Sequence, residues 1–387
     1  MITRKLQKKL LEFLEYYPVI TVTGPRQSGK TTLVRVTFPD LPYVSLETPE
    51  IRERAIEEPR LFLQNYPKGA IIDEVQKAPT LFSYIQDIVD NNTEVKFVLS
   101  ESQNFLLLDK ISQSLAGRTA IIKLLPFSLE ELKGTKYEIK NVFSYIFKGS
   151  YPRLYDKKIP ISNYYSDYIQ TYVQRDVRSI QNIENLDTFN LFIKLCAGRV
   201  GQLLNVDSLA SDTGITFNTA KKWLSILKTS YIIYTLAPYH KNFKKRLVKS
   251  PKLYFHDTGL ACNLLNIKSE KQLETHYARG NLFENFVINE LMKAECNAVS
   301  TSNLYFWRDN HGKEIDCIVE KAEKLLAIEI KSGFSYSKDF FNNLNYWGKI
   351  SGGKMADNYL IYSGDESLKV KYGNLISWKD INNVPIL

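Results

Sequence analysis

Only four cysteines occur in 387 residues, and Cys196, Cys262, Cys296 and Cys317 form neither C-x-x-C pairs nor clusters with the histidines. That spacing argues against a disulfide framework and a zinc ribbon, and it predicts a reducing, cytoplasmic setting. No apolar run approaches the ~18 residues of a membrane span, so no membrane partner is expected. The first residues, MITRKLQKKLLEFLEYY, lack the apolar core of a secretory signal. Read as a helix, they place Leu6, Leu10, Leu11 and Leu14 on one face. Acidic residues are missing altogether between Asp212 and Asp257, where nine lysines and arginines stand: Lys221, Lys222, Lys228, Lys241, Lys244, Lys245, Arg246, Lys249 and Lys252. This stretch equals the whole chain's net charge of +9, so the remainder sums to zero. A basic stretch over residues 213–256 points to a polyanion, and nucleic acid is the expected partner.

What is present is organised around Thr21 to Leu33. There Gly24-Pro25-Arg26-Gln27-Ser28-Gly29-Lys30-Thr31 matches G-x-x-x-x-G-K-[ST], preceded by the β-branched run Val19–Val22 and followed by Thr32 in a helix-compatible segment. The order strand, glycine-rich turn, helix aims backbone N–H groups and a helix N-terminus at a phosphate. Lys30 would reach the β- and γ-phosphates, and the Thr31 hydroxyl would ligate Mg²⁺. ATP and Mg²⁺ are therefore the expected cofactors.

Through residue 127, short apolar strands alternate with helical segments, which predicts a parallel α/β sheet. The strands are expected at Val19–Thr23, Tyr43–Leu46, Ala70–Ile72, Val95–Leu99 and Ala120–Leu124. The third runs into Asp73-Glu74, a Walker B pattern with Asp73 in the metal shell and Glu74 as the base for the attacking water. The fourth runs into Ser100-Glu101-Ser102-Gln103, where Ser102 or Gln103 would touch the γ-phosphate or the water. Arg118, just before the last strand, would serve a neighbouring subunit as an arginine finger, which implies a homo-oligomer. The alternative is a surface arginine after a helix-capping glycine. Ser128 and Glu131 have capping-box spacing and open a new helical region.

Residues 186–256 read as a winged helix. A short helix over 207–213 leads through Gly214 to a second helix over 217–228. Its Ala220, Trp223, Leu224 and Leu227 form an apolar stripe. Asn218, Thr219, Lys221, Lys222 and Ser225 lie opposite, a face suited to a major groove. Strands are expected at Tyr231–Leu236 and Lys252–Phe255, around a basic wing. Farther on, Asp316, Glu329 and Lys331 give a D…E-x-K pattern on two apolar strands. Glu329 and Lys331, two apart in a strand, share a face. Asp316 and Glu329 would hold Mg²⁺, with Lys331 stabilising charge on a phosphate. This looks like the PD-(D/E)xK nuclease fold, with Glu284 as the acid of its first helix.

Taken together, the phosphate loop, Asp73-Glu74, SQNFLLLDKISQSLAGR, LLPFSLEEL, GSYPRLYD and YIQTYVQRDV resemble prokaryotic AAA+-type P-loop ATPases with a C-terminal DUF4143 region. The resemblance implies a helical lid, in which Pro152 leans on the nucleotide and Arg153 acts as a sensor. Arg175-Asp176 matches as well, without a derived role. The family usually has glycine where Glu101 stands, and a carboxylate there would repel the γ-phosphate. The expectation is an α/β protein in four parts: a P-loop parallel-sheet ATPase core (1–127), a helical lid (128–185), a winged helix (186–256) and a restriction-endonuclease-like α/β domain (257–387). Its activity would be ATP hydrolysis coupled to nucleic-acid binding or cleavage. The alternative is a nucleotide-switched assembly protein whose nuclease-like part does not cut.

Overall fold

The computed structural model describes residues 2–101, 114–173, 185–240, 248–321, 324–352 and 357–387. The chain forms two compact units. The first comprises Met1–Phe127 with Thr229–Tyr231 and Cys296–Val299; the second comprises Ser128–Lys228, Ile232–Glu295 and Ser300–Leu387.

The first unit begins with α1 (Leu6–Tyr16) and β1 (Val19–Thr23), then α2 (Lys30–Thr37), β2 (Tyr43–Ser45), α3 (Pro49–Glu57), α4 (Pro59–Gln64) and β3 (Ile71–Asp73). It continues with α5 (Leu81–Asn91), β4 (Phe97–Ser100) and β5 (Thr119–Lys123). The strands form one sheet in the order β2-β3-β4-β1-β5, every pair parallel. Parallel strands covered on both faces need near-continuous apolar runs, and all five residues of β1 are buried. Ile72 is fully buried with Leu99 and Val44, and its truncation to alanine would cost about 2–5 kcal/mol. In α1, Leu6 and Leu10 are buried while Leu11 is 49% exposed, so the apolar face is narrower than the leucine spacing suggested.

Two strands end one residue later than the apolar pattern predicted, β3 at Asp73 and β4 at Ser100. Hydrophobicity marks burial, whereas pairing follows register. Asp73 is paired with both Ser45 and Ser100, which draws these polar residues into the ladder at its carboxyl end.

The second unit opens with four short helices, α6 (Leu129–Leu132), α7 (Val142–Lys148), α8 (Arg153–Asp156) and α9 (Ile161–Tyr168). Ser128 and Glu131 form the expected capping box at α6. Next come α10 (Leu186–Ala197), α11 (Val206–Thr213), α12 (Phe217–Thr229) and the antiparallel ribbon of β6 (Ile233–Leu236) and β7 (Lys252–Phe255). Ala220, Trp223, Leu224 and Leu227 of α12 are buried, with Trp223 edge-on to Phe189 and Phe192. Asn218, Lys221, Lys222 and Ser225 are exposed on the other face.

After α13 (Thr258–Leu264) and α14 (Glu270–Thr275), the long α15 (Arg279–Ala298) precedes a mixed six-stranded sheet. Its strands are β8 (Leu304–Arg308), β9 (Glu314–Lys321), β10 (Lys324–Lys331), β11 (Asn358–Tyr362), β12 (Leu368–Val370) and β13 (Gly373–Ser377). They lie in the order β12-β13-β11-β10-β9-β8, with α16 (Asn342–Ser351) linking β10 to the parallel β11. None of the described helices is long and apolar enough to cross a membrane.

Candidate functional site

Ligands of parallel α/β sheets gather beyond the carboxyl ends of the strands. Three segments meet that condition in the first unit: the loop after β1, the end of β3 and the end of β4. Because β4 lies between β1 and β3, its end falls between the other two.

The loop after β1 is held by backbone that only glycine permits. Gly24 has φ +143°, and a Cβ there would lie 2.1 Å from the Leu124 carbonyl oxygen. Gly29 caps α2 at φ 95°. Gln27 takes a left-handed φ of 62°, a strain of the kind that persists where surrounding structure enforces it. Pro25 and Ser28 are buried, Arg26 and Gln27 half-buried, and Thr32 is exposed. Lys30 donates to the carbonyls of Gly24 and Pro25 at 2.8 and 2.9 Å. Burial, opposed by Glu74, brings its ammonium down to about 8. Arg4, which the sequence reading passed over, donates to the Ser28 carbonyl at 2.8 Å and the Leu125 carbonyl at 2.5 Å. It staples the loop from below, and nothing in its local sequence signals this.

Asp73 is the centre of the polar cluster. Its Oδ2 accepts from the Thr31 hydroxyl at 3.0 Å and the Tyr43 hydroxyl at 2.8 Å, and its Oδ1 accepts from the Ser100 hydroxyl. Burial and the neighbouring Asp73 push the Tyr43 phenol up to about 12. Thr31 and Asp73 supply the hard oxygens that Mg²⁺ requires, so these residues fit the ion the loop implies. Glu74 follows at φ 56°, a left-handed position, with Gln76 Nε2 donating to its Oε2 at 2.5 Å. Tyr43 and Ser100 were not expected here. Only the strand register, which brings Ser45 and Ser100 beside Asp73, places them.

Glu101 bears on the expected repulsion of a γ-phosphate. It is fully buried, and among the described residues neither carboxyl oxygen has a hydrogen-bond partner. Burial first, and the Glu74 charge second, raise its carboxyl to about 9, against the pull of Lys30. Both effects favour the uncharged acid. The predicted repulsion of a γ-phosphate requires a charge that burial removes.

Other candidates lie elsewhere. Arg118 precedes β5, and its carbonyl accepts from the Val19 N–H at the start of β1, so it stands at the opposite edge of the sheet from its own phosphate loop. Its guanidinium forms a forked pair with Asp90, at 2.5 and 2.8 Å. In the second unit, Pro152 caps α8 and Arg153 opens it, exposed. Before it, the Gly149 carbonyl accepts from the Tyr155 hydroxyl at 2.7 Å, and Asp257, a buried carboxylate, accepts from the Ser150 N–H at 2.7 Å and the Tyr165 hydroxyl at 2.6 Å. Ser102, Gln103, Arg175, Asp176, Lys241, Lys244, Lys245 and Arg246 lie outside the described residues.

The second constellation does come together within the second unit. Glu329 and Lys331 share a face of β10 and are bonded at 2.6 Å. Asp316 on β9 accepts from the Ile330 N–H at 2.7 Å and stands 4.0 Å from the Lys331 ammonium. Glu284 on α15 accepts from Lys252 at 2.7 Å and from the Tyr254 hydroxyl. Burial raises Glu284 to about 7, opposed by Lys252, and Glu329 to about 8, helped by Asp316. Lys252 was counted in the basic stretch that would meet a polyanion, yet only 2% of it is exposed. It lies on a buried strand and is neutralised by Glu284 and Glu314, so it cannot reach a nucleic acid. The remaining described basic residues of that stretch are exposed Lys221, Lys222 and Lys249 and half-buried Lys228. Among the described residues no group of three or more His, Cys, Asp or Glu is placed to hold a metal. The Ile330 N–H and the Lys331 ammonium stand beside Asp316, and Lys331 and Asn343 beside Glu329 Oε1, while Glu329 Oε2 has no partner among the described residues.

Residues 16–133 match the AAA domain family, residues 139–271 a domain of unknown function (DUF8612), and residues 279–381 another (DUF4143). Uncharacterized proteins of Mycobacterium tuberculosis and Mycobacterium bovis are each 28% identical over 331 residues, covering 85% of this chain and 73% of theirs. Among solved structures, the Walker-type ATPase paby2304 of Pyrococcus abyssi aligns at 16% identity and TM-score 0.46, over 68% of this chain and 96% of its own. A signal transduction ATPase with numerous domains from Pyrococcus horikoshii aligns at 11% identity and TM-score 0.29, over 76% of this chain and 46% of its own.

Proposed function

We propose that this chain, which carries an AAA-type P-loop ATPase domain and a DUF4143 region, hydrolyses ATP with Mg²⁺ and couples the nucleotide cycle to nucleic-acid binding. One observation carries the ATPase half: Lys30, Thr31, Asp73 and Glu74 stand on segments that all leave the carboxyl edge of one parallel sheet. In this reading the loop from Gly24 to Thr32 wraps the phosphates with backbone N–H groups. Lys30 exchanges its two carbonyl partners for phosphate oxygens. Thr31 and Asp73 would hold Mg²⁺, which would supply positive charge beside the β- and γ-phosphates. Glu74 orients the water and takes its proton. Glu101, uncharged, leaves the γ-phosphate unopposed. The nucleic-acid half is supported by the exposed Lys221, Lys222 and Lys249, within a stretch that has no acid.

A functional partition into core (1–127), lid (128–185), winged helix (186–256) and nuclease-like part (257–387) belongs to this proposal. So do Pro152 and Arg153 as lid residues and Arg118 as a finger between subunits. A second reading, a nucleotide-switched protein whose nuclease-like part binds without cutting, is favoured by the engagement of Glu284, Asp316 and Glu329 with neighbouring donors. ATP turnover measured beside cleavage of labelled DNA and RNA, with and without ATP, tests both. Absence of turnover in well-folded protein would overturn the first reading, and metal-dependent cleavage lost in Asp316→Asn would overturn the second.

A further inference from the structure

The chain leaves β3 by a sharp turn. Glu74 sits at φ 56°, ψ 42°, a left-handed conformation that strains a residue with a side chain and persists where the surroundings enforce it. Val75–Lys77 then form one 3₁₀ turn, closed by the Lys77 N–H on the Glu74 carbonyl at 3.0 Å and the Ala78 N–H on the Val75 carbonyl at 3.1 Å. Val75 and Ala78 are fully buried in the core of the first unit, so the turn is anchored on both sides of Gln76. This brings the Gln76 side chain back onto Glu74, where Nε2 donates to Oε2 at 2.5 Å.

An ionised carboxylate only accepts, so the amide nitrogen is the end that meets Glu74, and Oε1 is the accepting end left over. That oxygen is buried and has no hydrogen-bond partner among the described residues. A surface glutamine would show both ends to solvent. Gln76 instead has its donor on the expected general base and its acceptor shielded and unpaired. Such an acceptor is costly, and a catalytic role is one of the reasons a fold keeps it. The water of the proposed hydrolysis has the matching need. Its lone pair must face the γ-phosphorus, so both O–H bonds turn away and each requires an acceptor. Glu74 supplies one.

We propose that Gln76 is the second acceptor of the attacking water: its Oε1 takes the hydrogen bond of the proton that Glu74 does not, while its Nε2 fixes the Glu74 carboxylate. This inference rests on the ATPase reading above. The water oxygen bonds the γ-phosphorus as the β–γ bridging P–O bond breaks and its electron pair leaves with ADP. One water proton passes to Glu74, and the other stays on the new phosphate, hydrogen-bonded to Gln76. The amide sets the direction of the water and exchanges no proton itself. Orienting a water is a recurrent part of phosphoryl transfer, and here the same turn carries the base and the orienting group.

The test uses the full chain with MgADP and two phosphate mimics. Beryllium fluoride is tetrahedral like the ground-state γ-phosphate, whereas aluminium fluoride is planar and takes an axial water like the transition state. Retention of a fluorescent ADP reads the affinity of each complex. Gln76→Met keeps the length and removes both polar ends. It should leave the beryllium fluoride complex within about 2-fold of wild type and weaken the aluminium fluoride complex by about 10²-fold, with ATP turnover falling alike. Gln76→Lys still donates to Glu74 but cannot accept, and it should behave as Gln76→Met does. An aluminium fluoride complex as tight as the wild type's in Gln76→Met would overturn the proposal. So would wild-type behaviour of Gln76→Lys, which would leave the amide with its tie to Glu74 alone. Equal weakening of both complexes would also overturn it, by making Gln76 a structural residue of the turn. Should Gln76→Met fail to fold by circular dichroism, Gln76→Lys decides. A wild type that binds neither complex would overturn the ATPase reading and this inference together. A wild type that turns over ATP beside an unimpaired Gln76→Met overturns this inference alone.

Discussion

Tyr43 donates its hydroxyl to Asp73 at 2.8 Å, on the same carboxylate oxygen that Thr31 contacts at 3.0 Å. The phenol fixes the carboxylate's orientation from the edge strand β2, while Arg35 lies over its ring at 4.8 Å. Tyr43→Phe keeps the ring contact and removes the hydrogen bond. The Mg²⁺ concentration giving half-maximal ATP turnover should rise on the order of 10-fold, since outer-shell partners of metal ligands matter to that degree. An unmoved midpoint would reduce Tyr43 to a packing residue.

Lys30→Ala should abolish ATP binding in an equilibrium titration. Glu74→Gln should retain binding while turnover falls by about 10²- to 10⁴-fold, the contribution of a general base. Unchanged turnover would remove Glu74 from that role.

For Glu101 the sign follows from its raised pKa. In the unfolded chain the carboxyl ionises near the ordinary value of 4.5, and in the folded chain near 9. Protonated Glu101 therefore contributes stability that is complete below pH ~4.5 and lost as pH rises through ~9. Glu101→Gln imitates the protonated form at every pH. Between these limits the variant should gain on the wild type by roughly 1 kcal/mol per pH unit, read from denaturant melts at several pH values. Its ATP turnover at neutral pH should match the wild type. Parallel stability curves would show that Glu101 is ionised after all.

The phosphate loop, Asp73 and all five strands of the first sheet were legible because each is carried by consecutive residues. So was α12, whose apolar stripe repeats with helical period. What escaped was set by register and burial rather than by sequence neighbours. Tyr43 and Ser100 reach Asp73 from adjacent strands, and Arg4 reaches Ser28 across 24 positions. Lys252 looked like one more basic residue until the ribbon placed it among Glu284 and Glu314. Charge counting treats every lysine as exposed, and Glu101 as ionised, for the same reason: composition carries no dielectric.

The exposed lysines of α12 give a prediction about salt. If about four basic residues meet phosphates, log K should fall with log salt at a slope near −3.6. Lys221→Glu with Lys222→Glu should flatten it by about 1.8 without changing ATP affinity, in fluorescence anisotropy with labelled DNA. A slope near zero in the unaltered protein would make these lysines a solvated face.

Arg118, paired with Asp90, lies at the far edge of the sheet from its own phosphate loop, so as a finger it would serve a neighbour. Mixing Arg118→Ala with Lys30→Ala protein should then restore part of the ATP turnover that each lacks. No recovery in mixtures shown to form mixed oligomers would leave Arg118 as a residue that anchors α5.

The first unit is not finished at Phe127. Tyr231, at φ 56°, donates to Thr23 at 3.1 Å where β1 enters the phosphate loop, and Val299, at φ 55°, packs against the cluster containing Leu6 and Ile20. During translation, which adds about 5–20 residues per second, the ribosome must make residues 128–299 before both contacts exist. The nascent nucleotide-binding sheet thus waits on the order of 10–30 s for its last pieces, with the Thr23 hydroxyl still without the Tyr231 bond. A fragment released at residue 127 would stay in that incomplete condition. The chain cannot be divided there by a single cut without leaving those two pieces of the first unit on the other side.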